Sequence, residues 1–195
     1  MRAKICEEKN MARKESVTME DILSNAFEMA REEGLENVTT RRIADRVGCS
    51  TQPIYRVYKN MEELVAAIYE RAIAFYNDFV DNCAPVDQTP FVNMGMAYIR
   101  FAEAEKNLFR MLFMTQEHGG KTLYELLNGD KNHVMIEITK AKEMGANNPS
   151  GIFMEMWIMI HGIAGMTITG DYDLPFEETV ALLKNSYQSF LGYGS

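Results

Sequence analysis

Cysteine is scarce in this chain. Cys6, Cys49 and Cys83, in 195 residues, are too scattered and odd in number for a disulfide framework or a paired metal site. Such usage fits a reducing cytoplasm, the expected location. Histidine is as sparse: His118, His133 and His161 fall on different predicted helices, with no H-x-x-x-H spacing and no carboxylate pairing. Metal-assisted catalysis therefore has no ligand set, no cluster of catalytic groups is visible, and neither a cofactor nor a metal is expected. No apolar run opens the chain, which is charged from Arg2 through Glu15, so no signal peptide is expected. Internal repeats and low-complexity tracts are missing too. One segment, Gly151 to Ile168, is apolar nearly all round, but Glu155 interrupts the roughly 20 clean residues a membrane span needs. A buried helix is the expectation there, and no membrane partner.

What is present is enough apolar material for real cores: 47% of residues are hydrophobic. The net charge of −8 excludes a protein that coats nucleic acid indiscriminately, yet it is unevenly spread. Thr40 to Asn60 holds five basic residues against Asp45 alone, whereas the chain from Met61 onward carries nine basic and eighteen acidic residues. A small positive reader on an acidic body is what a site-specific DNA binder needs, because the body repels DNA.

The positive stretch reads as two short helices joined by a tight turn. Thr39 is a good N-cap, Ile43, Ala44 and Val47 share one face, and Gly48 ends the helix where a left-handed residue is wanted. Ser50 is placed to cap a second helix over Thr51–Tyr58, with Pro53 tolerated in its first turn. Ile54 and Val57 or Tyr58 point inward, leaving Thr51, Gln52, Tyr55 and Arg56 facing out. Gln52 can pair bidentately with an adenine edge and Arg56 with guanine or a phosphate, while the Thr51 methyl can meet a thymine methyl. Arg41, Arg42 and Lys59 are placed to grip phosphates beside the groove. A solvated helical hairpin with idle charges is the alternative for the turn taken alone.

From Ile22 to Ile68 the chain resembles the TetR-type bacterial repressors. The likeness rests on I-L-S-N-A-F-E-M-A-R-E-E-G-L, R-I-A-D-R-V-G, I-Y-R-V-Y and the following M-E-E-L. It implies an all-α homodimer, with an N-terminal three-helix DNA-binding domain and a C-terminal helical bundle for ligand binding and dimerisation. By position it implies DNA contacts for Thr39, Arg41, Ser50, Thr51, Gln52, Tyr55 and Lys59. Two positions depart from the family pattern. Met61 stands where many relatives carry a phosphate-binding lysine, and Val57 where a histidine is common. Cys49 occupies a turn position that is usually small and apolar, and is expected to be buried filler rather than a redox sensor.

The expected organisation is a charged leader over residues 1–16, the DNA-binding domain over 1–60 and the C-terminal domain over 61–195, with a helix over 61–81 joining the two. Arg13 and Lys14 of the leader could add phosphate contacts, although a frayed, solvated end is the plainer reading. About nine helices are expected. The first begins near Thr18, with Asp21 in capping-box spacing, and stops at Gly34; the fourth is capped by Asn60. After a break at Asn82–Thr89, helices are expected over 90–106, 107–114, 121–144 (breaking near Gly129), 151–169 and 175–191.

Ten of the fifteen methionines lie between Met94 and Met166. With Tyr98, Phe101, Phe109, Phe113 and Trp157, they could line a cavity for a small apolar or amphipathic effector; ordinary core packing is the alternative. Trp157 to Gly162 matches a W-x-x-x-H-G signature of one C-terminal subgroup of the family. His161 is either an effector-bonding group or a core histidine paired within the protein, the second being the plainer reading. Phe176, Val180, Leu183, Tyr187 and Phe190 form a 3.5-residue seam expected at a four-helix dimer interface, with Gly162, Ala164 and Gly165 permitting close approach.

The function expected is a ligand-responsive regulator, not an enzyme. The dimer would bind a palindromic double-stranded operator, its recognition helices about 34–36 Å apart, and be released by effector. A ligand carrier or enzyme with an appended DNA-binding module, and a ligand-independent DNA binder, stay open as alternatives.

Overall fold

Thr18 opens the first helix by a reciprocal cap: its hydroxyl accepts from the Asp21 amide at 3.1 Å, and the Asp21 carboxylate accepts from the Thr18 amide at 2.8 Å. The computed structural model describes residues 17–116 and 119–193. The leader expected over 1–16, with Arg13, Lys14 and Cys6, lies outside the described residues, as does His118.

Among the described residues there are ten α-helices and no strand, so the fold is all-α as expected. Helices α1 (Met19–Glu33), α2 (Thr40–Val47) and α3 (Gln52–Val57) form one unit, with a 3-10 turn at Leu35–Asn37 between the first two. Ile22, Ala26 and Phe27 of α1, Ile43 and Ala44 of α2, and Ile54 with Tyr58 close its core. The long α4 (Met61–Asp81) is capped by Asn60, whose Oδ1 accepts from the Glu63 amide at 2.9 Å. Its buried Leu64, Ile68, Ala72 and Tyr76 recur at helical spacing, so one face can serve both the first unit and the helices beyond.

The rest comprises α5 (Val92–Ala104), α6 (Lys106–Phe113), α7 (Leu123–Asn128), α8 (His133–Glu143), α9 (Pro149–Thr169) and α10 (Phe176–Tyr193). The tenth helix arises because the expected 121–144 helix divides. Gly129 adopts φ 55°, ψ −170°, which no residue with a Cβ takes comfortably, and α8 restarts at His133. Helix α9 lies along α5 at very short range. A Cβ on Gly95 would come within 2.7 Å of the Ile160 side chain, so any larger residue would force the two helices or that side chain to shift. Helix α9 is long and apolar enough to cross a membrane by length and composition, but 44% of its apolar window is buried within the protein. It is the central helix of the bundle, and its buried Ile152, Met156, Ile160 and Ala164 have their partners inside the chain.

Candidate nucleic-acid interface

The turn between α2 and α3 is fixed by its backbone. Gly48 sits at φ 75°, ψ 35°, the Cys49 amide reaches the Ala44 carbonyl at 2.9 Å, and the Gly48 amide reaches Asp45 at 3.3 Å. These two bonds are the Schellman closure, which satisfies the last carbonyls of α2 and sets the exit angle of the chain. At the other end the Thr39 hydroxyl accepts from the Arg42 amide at 3.3 Å. Cys49 is half-buried and packs against the core of this unit.

Helix α3 is shorter than expected and is capped differently. It spans Gln52–Val57, with Thr51 at the N-cap position in helical geometry and no side-chain capping bond, so Ser50 lies one residue outside. Pro53 falls within the first turn, where a missing amide costs little. The chain leaves the helix at Tyr58 (φ −117°, ψ 123°), which turns its ring into the core, while Val57 is half-buried.

This arrangement leaves Ser50, Gln52, Tyr55, Arg56 and Lys59 exposed and Thr51 half-exposed, all on or beside one short, rigid helix. Thr39 and Arg41 are exposed at the start of α2. The Tyr55 hydroxyl lies 3.4 Å from that of Thr40, a residue the sequence reading passed over, and this contact leans the Tyr55 ring towards α2. Arg42 is drawn elsewhere: its guanidinium meets Glu33 at 2.5 Å and donates to the Asn37 carbonyl at 3.1 Å. In the free protein Arg42 therefore ties α2 to the end of α1. Arg46 is likewise paired, with Glu32 at 2.8 Å. Among the described residues no ion pair involves Arg41, Arg56 or Lys59. Those three remain available for phosphates and base edges.

A short helix held by a second helix, basic and polar on its open side, is a helix-turn-helix reader. Residues 22–68 match the family model of bacterial regulatory proteins of the TetR family, and residues 91–186 match that of the tetracycline repressor-like C-terminal domain. The chain belongs to the TetR family.

Solved structures of TetR-family proteins share the fold over nearly the whole length. A TetR-like transcriptional regulator from Rhodococcus sp. RHA1 superposes with a TM-score of 0.62 at 13% identity, covering 89% of this chain and 94% of that one. A TetR-family transcriptional regulator from Vibrio parahaemolyticus gives 0.61 at 18% identity, covering 87% and 96%. In sequence, an HTH-type transcriptional repressor of Mycobacterium tuberculosis is 28% identical over 80 residues, 41% of this chain. An HTH-type transcriptional regulator of Mycobacterium bovis matches to the same degree. The match spans only 27% of the length of these two relatives.

In the C-terminal part of this TetR-family chain, the residues expected to line an effector cavity are brought together, but as a packed cluster. Tyr98 sits at its centre, with ring centroids 4.8 Å from Phe113 and Trp157 and 4.9 Å from Phe109; Phe101 joins through Tyr76 at 5.0 Å. The Tyr98 hydroxyl meets His161 Nδ1 at 3.0 Å. Burial lowers the imidazole's proton affinity and raises that of the phenol, so both stay neutral and satisfy each other. None of the five cavities described is lined by Tyr98, Phe101, Phe109, Phe113, Trp157 or His161; Met94 lines one, beside Asp81 and His133. The rings pack edge-to-face, Tyr98 against Phe109, Phe113 and Trp157.

The expected dimer seam also turns inward. Leu183 and Tyr187 are fully buried against the protomer's own core, Val180 and Phe190 are half-buried, and of the five only Phe176 is largely exposed. The 3.5-residue spacing marks packing against another helix, and here the partners are α9 and α5 of the same chain. The open apolar surface lies on α9 instead: Met154, Ile158 and Met166 are exposed, and nothing lies within 4 Å of a Cβ built on Gly162 or Gly165. Ala164 is buried. The sequence singled out Gly162 and Gly165 of this stripe for close approach but not Met154, Ile158 and Met166, because α9 is apolar on every side and its pattern does not say which side is free.

Proposed function

We propose that this protein is a DNA-binding transcriptional repressor that works in the cytoplasm as a homodimer and responds to a small molecule. One observation carries this reading: the Gly48 closure and the buried Ile54 and Tyr58 hold Gln52, Tyr55, Arg56 and Lys59 on a single open surface. Gln52 reads a base edge, Tyr55 and Arg56 contact bases or the sugar-phosphate chain, and Lys59, Arg41, Ser50, Thr51 and the Thr39 region hold the backbone. The dimer pairs through the exposed α9 stripe of Met154, Ile158, Gly162 and Met166, which presents two readers to an approximate palindrome. Residues 1–60 serve as the DNA-binding domain, and residues from Met61 onward as the regulatory and dimerisation domain.

The acidic body favours specific over indiscriminate binding, because the reader stretch is locally positive while the chain from Met61 onward carries nine basic and eighteen acidic residues. Selection of bound fragments from random double-stranded DNA by the purified full chain tests the proposal. An enriched pseudo-palindrome with half-sites about one helical turn apart is expected; no enrichment at low ionic strength would overturn it. The closed cluster around Tyr98 favours a second reading, a DNA binder that needs no ligand. Repeating the selection with a metabolite extract separates the two, since only the ligand-responsive protein loses its operator.

A further inference from the structure

At the junction of the DNA-binding unit and α6 lies an open crevice of about 550 Å³, within the range of about 300–1,000 Å³ usual for small-molecule sites. Its apolar walls come from both sides. Leu35 belongs to the 3-10 turn that follows α1, Tyr69 to α4, and Met111 with Met114 to the end of α6 and the residue after it. Tyr69 and Met111 are buried, with the Tyr69 hydroxyl donating to the Met111 carbonyl at 3.3 Å, so the floor is fixed; Met114 is half open to solvent and can adapt at the mouth.

The charges at the rim decide the ligand class. Arg110 lines the crevice, and among the described residues its guanidinium has no carboxylate partner, only a long contact of 3.4 Å to Asn107 Oδ1. The other arginines at this junction are spent: Arg31 on Glu105, Arg42 on Glu33 and Arg46 on Glu32. Glu36, the acid on the same rim, folds its carboxylate back over Gly34, where a Cβ would stand 2.5 Å from it, and forms no ion pair with Arg110. An apolar cleft with one uncommitted guanidinium fits an aliphatic chain ending in a carboxylate.

We propose that this crevice is a binding site for a small aliphatic carboxylate, separate from the aromatic cluster around Tyr98; as an effector site it rests on the regulatory reading given above. A ligand here touches the reading unit through Leu35 and the regulatory helices through Met111 at once. Asn107 extends the contact, because its amide nitrogen donates to the Arg31 carbonyl at 3.0 Å. Occupancy thus acts on the seam between the two units without passing through the bundle core.

The test is calorimetric titration of the full chain with octanoate, with 1-octanol as the uncharged comparison. Octanoate is expected to bind, 1-octanol to bind more weakly, and Arg110→Gln to raise the octanoate Kd by about tenfold or more, the loss expected for a charge-assisted pair. Arg100→Gln, which changes an exposed arginine of α5 that is not part of the crevice lining, is expected to leave the Kd unchanged. No binding by the parent chain, or equal Kd values for Arg110→Gln and the parent, would overturn the site. The DNA selection uses ligand-free protein, so its failure and the failure of this titration are read separately.

Discussion

Arg31 and Glu105 meet through two parallel hydrogen bonds, 2.7 Å from Nε and 2.6 Å from Nη2. Glu105 is the single residue between α5 and α6, so this fork ties the end of α1 to the bend between those two helices. The guanidinium also lies 4.9 Å from the centre of the Phe75 ring on α4, and three elements converge on one side chain. Glu105 is almost buried while Arg31 keeps about a third of its surface in water, which tempers the energy. Glu105→Gln is expected to cost about 1–2 kcal/mol of stability. In a double-mutant cycle with Arg31→Gln, a coupling of about 1 kcal/mol is expected. Strict additivity in thermal or denaturant unfolding would show that the fork does not join the two units.

The reader surface makes two distinct demands. Gln52→Ala and Tyr55→Ala are each expected to weaken binding to the selected operator by about 1–3 kcal/mol, with thermal stability and dimerisation unchanged. If both variants bind like the parent, α3 is not the reader. Lys59→Ala should reduce the salt slope of binding by about one ion. Arg42→Gln should not, because Glu33 and the Asn37 carbonyl already hold that guanidinium. Identical slopes for the two variants would contradict this division.

Placing the dimer contact on α9 rather than on the Leu183–Tyr187 seam separates two substitutions of the same kind. Ile158→Lys puts a charge on an exposed face and is expected to give folded monomers in sedimentation. Leu183→Lys buries a charge in the protomer core and is expected to lower the melting temperature or prevent folding. Folded monomers from Leu183→Lys, together with dimers from Ile158→Lys, would restore the seam to the interface.

Asp87 links the α4–α5 connection to α10 through Lys184 Nζ at 2.7 Å and accepts from the Thr89 amide at 2.8 Å. Lys184 first, and Thr89 after it, hold the carboxyl well below the usual carboxylate range. The folded protein therefore keeps Asp87 charged further into acid than the unfolded chain does. The stability this gives is present above the unfolded value, near pH 4, and is lost as pH falls below it. Asp87→Asn should melt below the parent at pH 7, with the gap narrowing as pH drops under about 4. A gap that stays constant across that range would mean the pair contributes nothing through its charge.

Much of this molecule is legible in its sequence, wherever the deciding interaction is local. Thr18, Thr39 and Asn60 each cap the helix that follows them, and Gly48 takes the left-handed conformation its place in the turn required. Caps and tight turns are decided by bonds reaching a few residues along the chain, so residue type and spacing suffice. The exposure of Gln52, Tyr55 and Arg56 followed from the same arithmetic, since a six-residue helix anchored by Ile54 has only one other side to show.

Distant packing was beyond that arithmetic. That Arg42 turns to Glu33, that Leu183 and Tyr187 face inward, and that Tyr98 and its neighbours close on one another are outcomes of which helix lies beside which. The sequence alone determined an all-helical chain with a capped, glycine-turned reader, because those choices depend on neighbours within a turn or two of helix. Only the tertiary structure decided which apolar faces are spent on the core and which cation is left over at the seam, because burial is a competition among surfaces far apart in the chain.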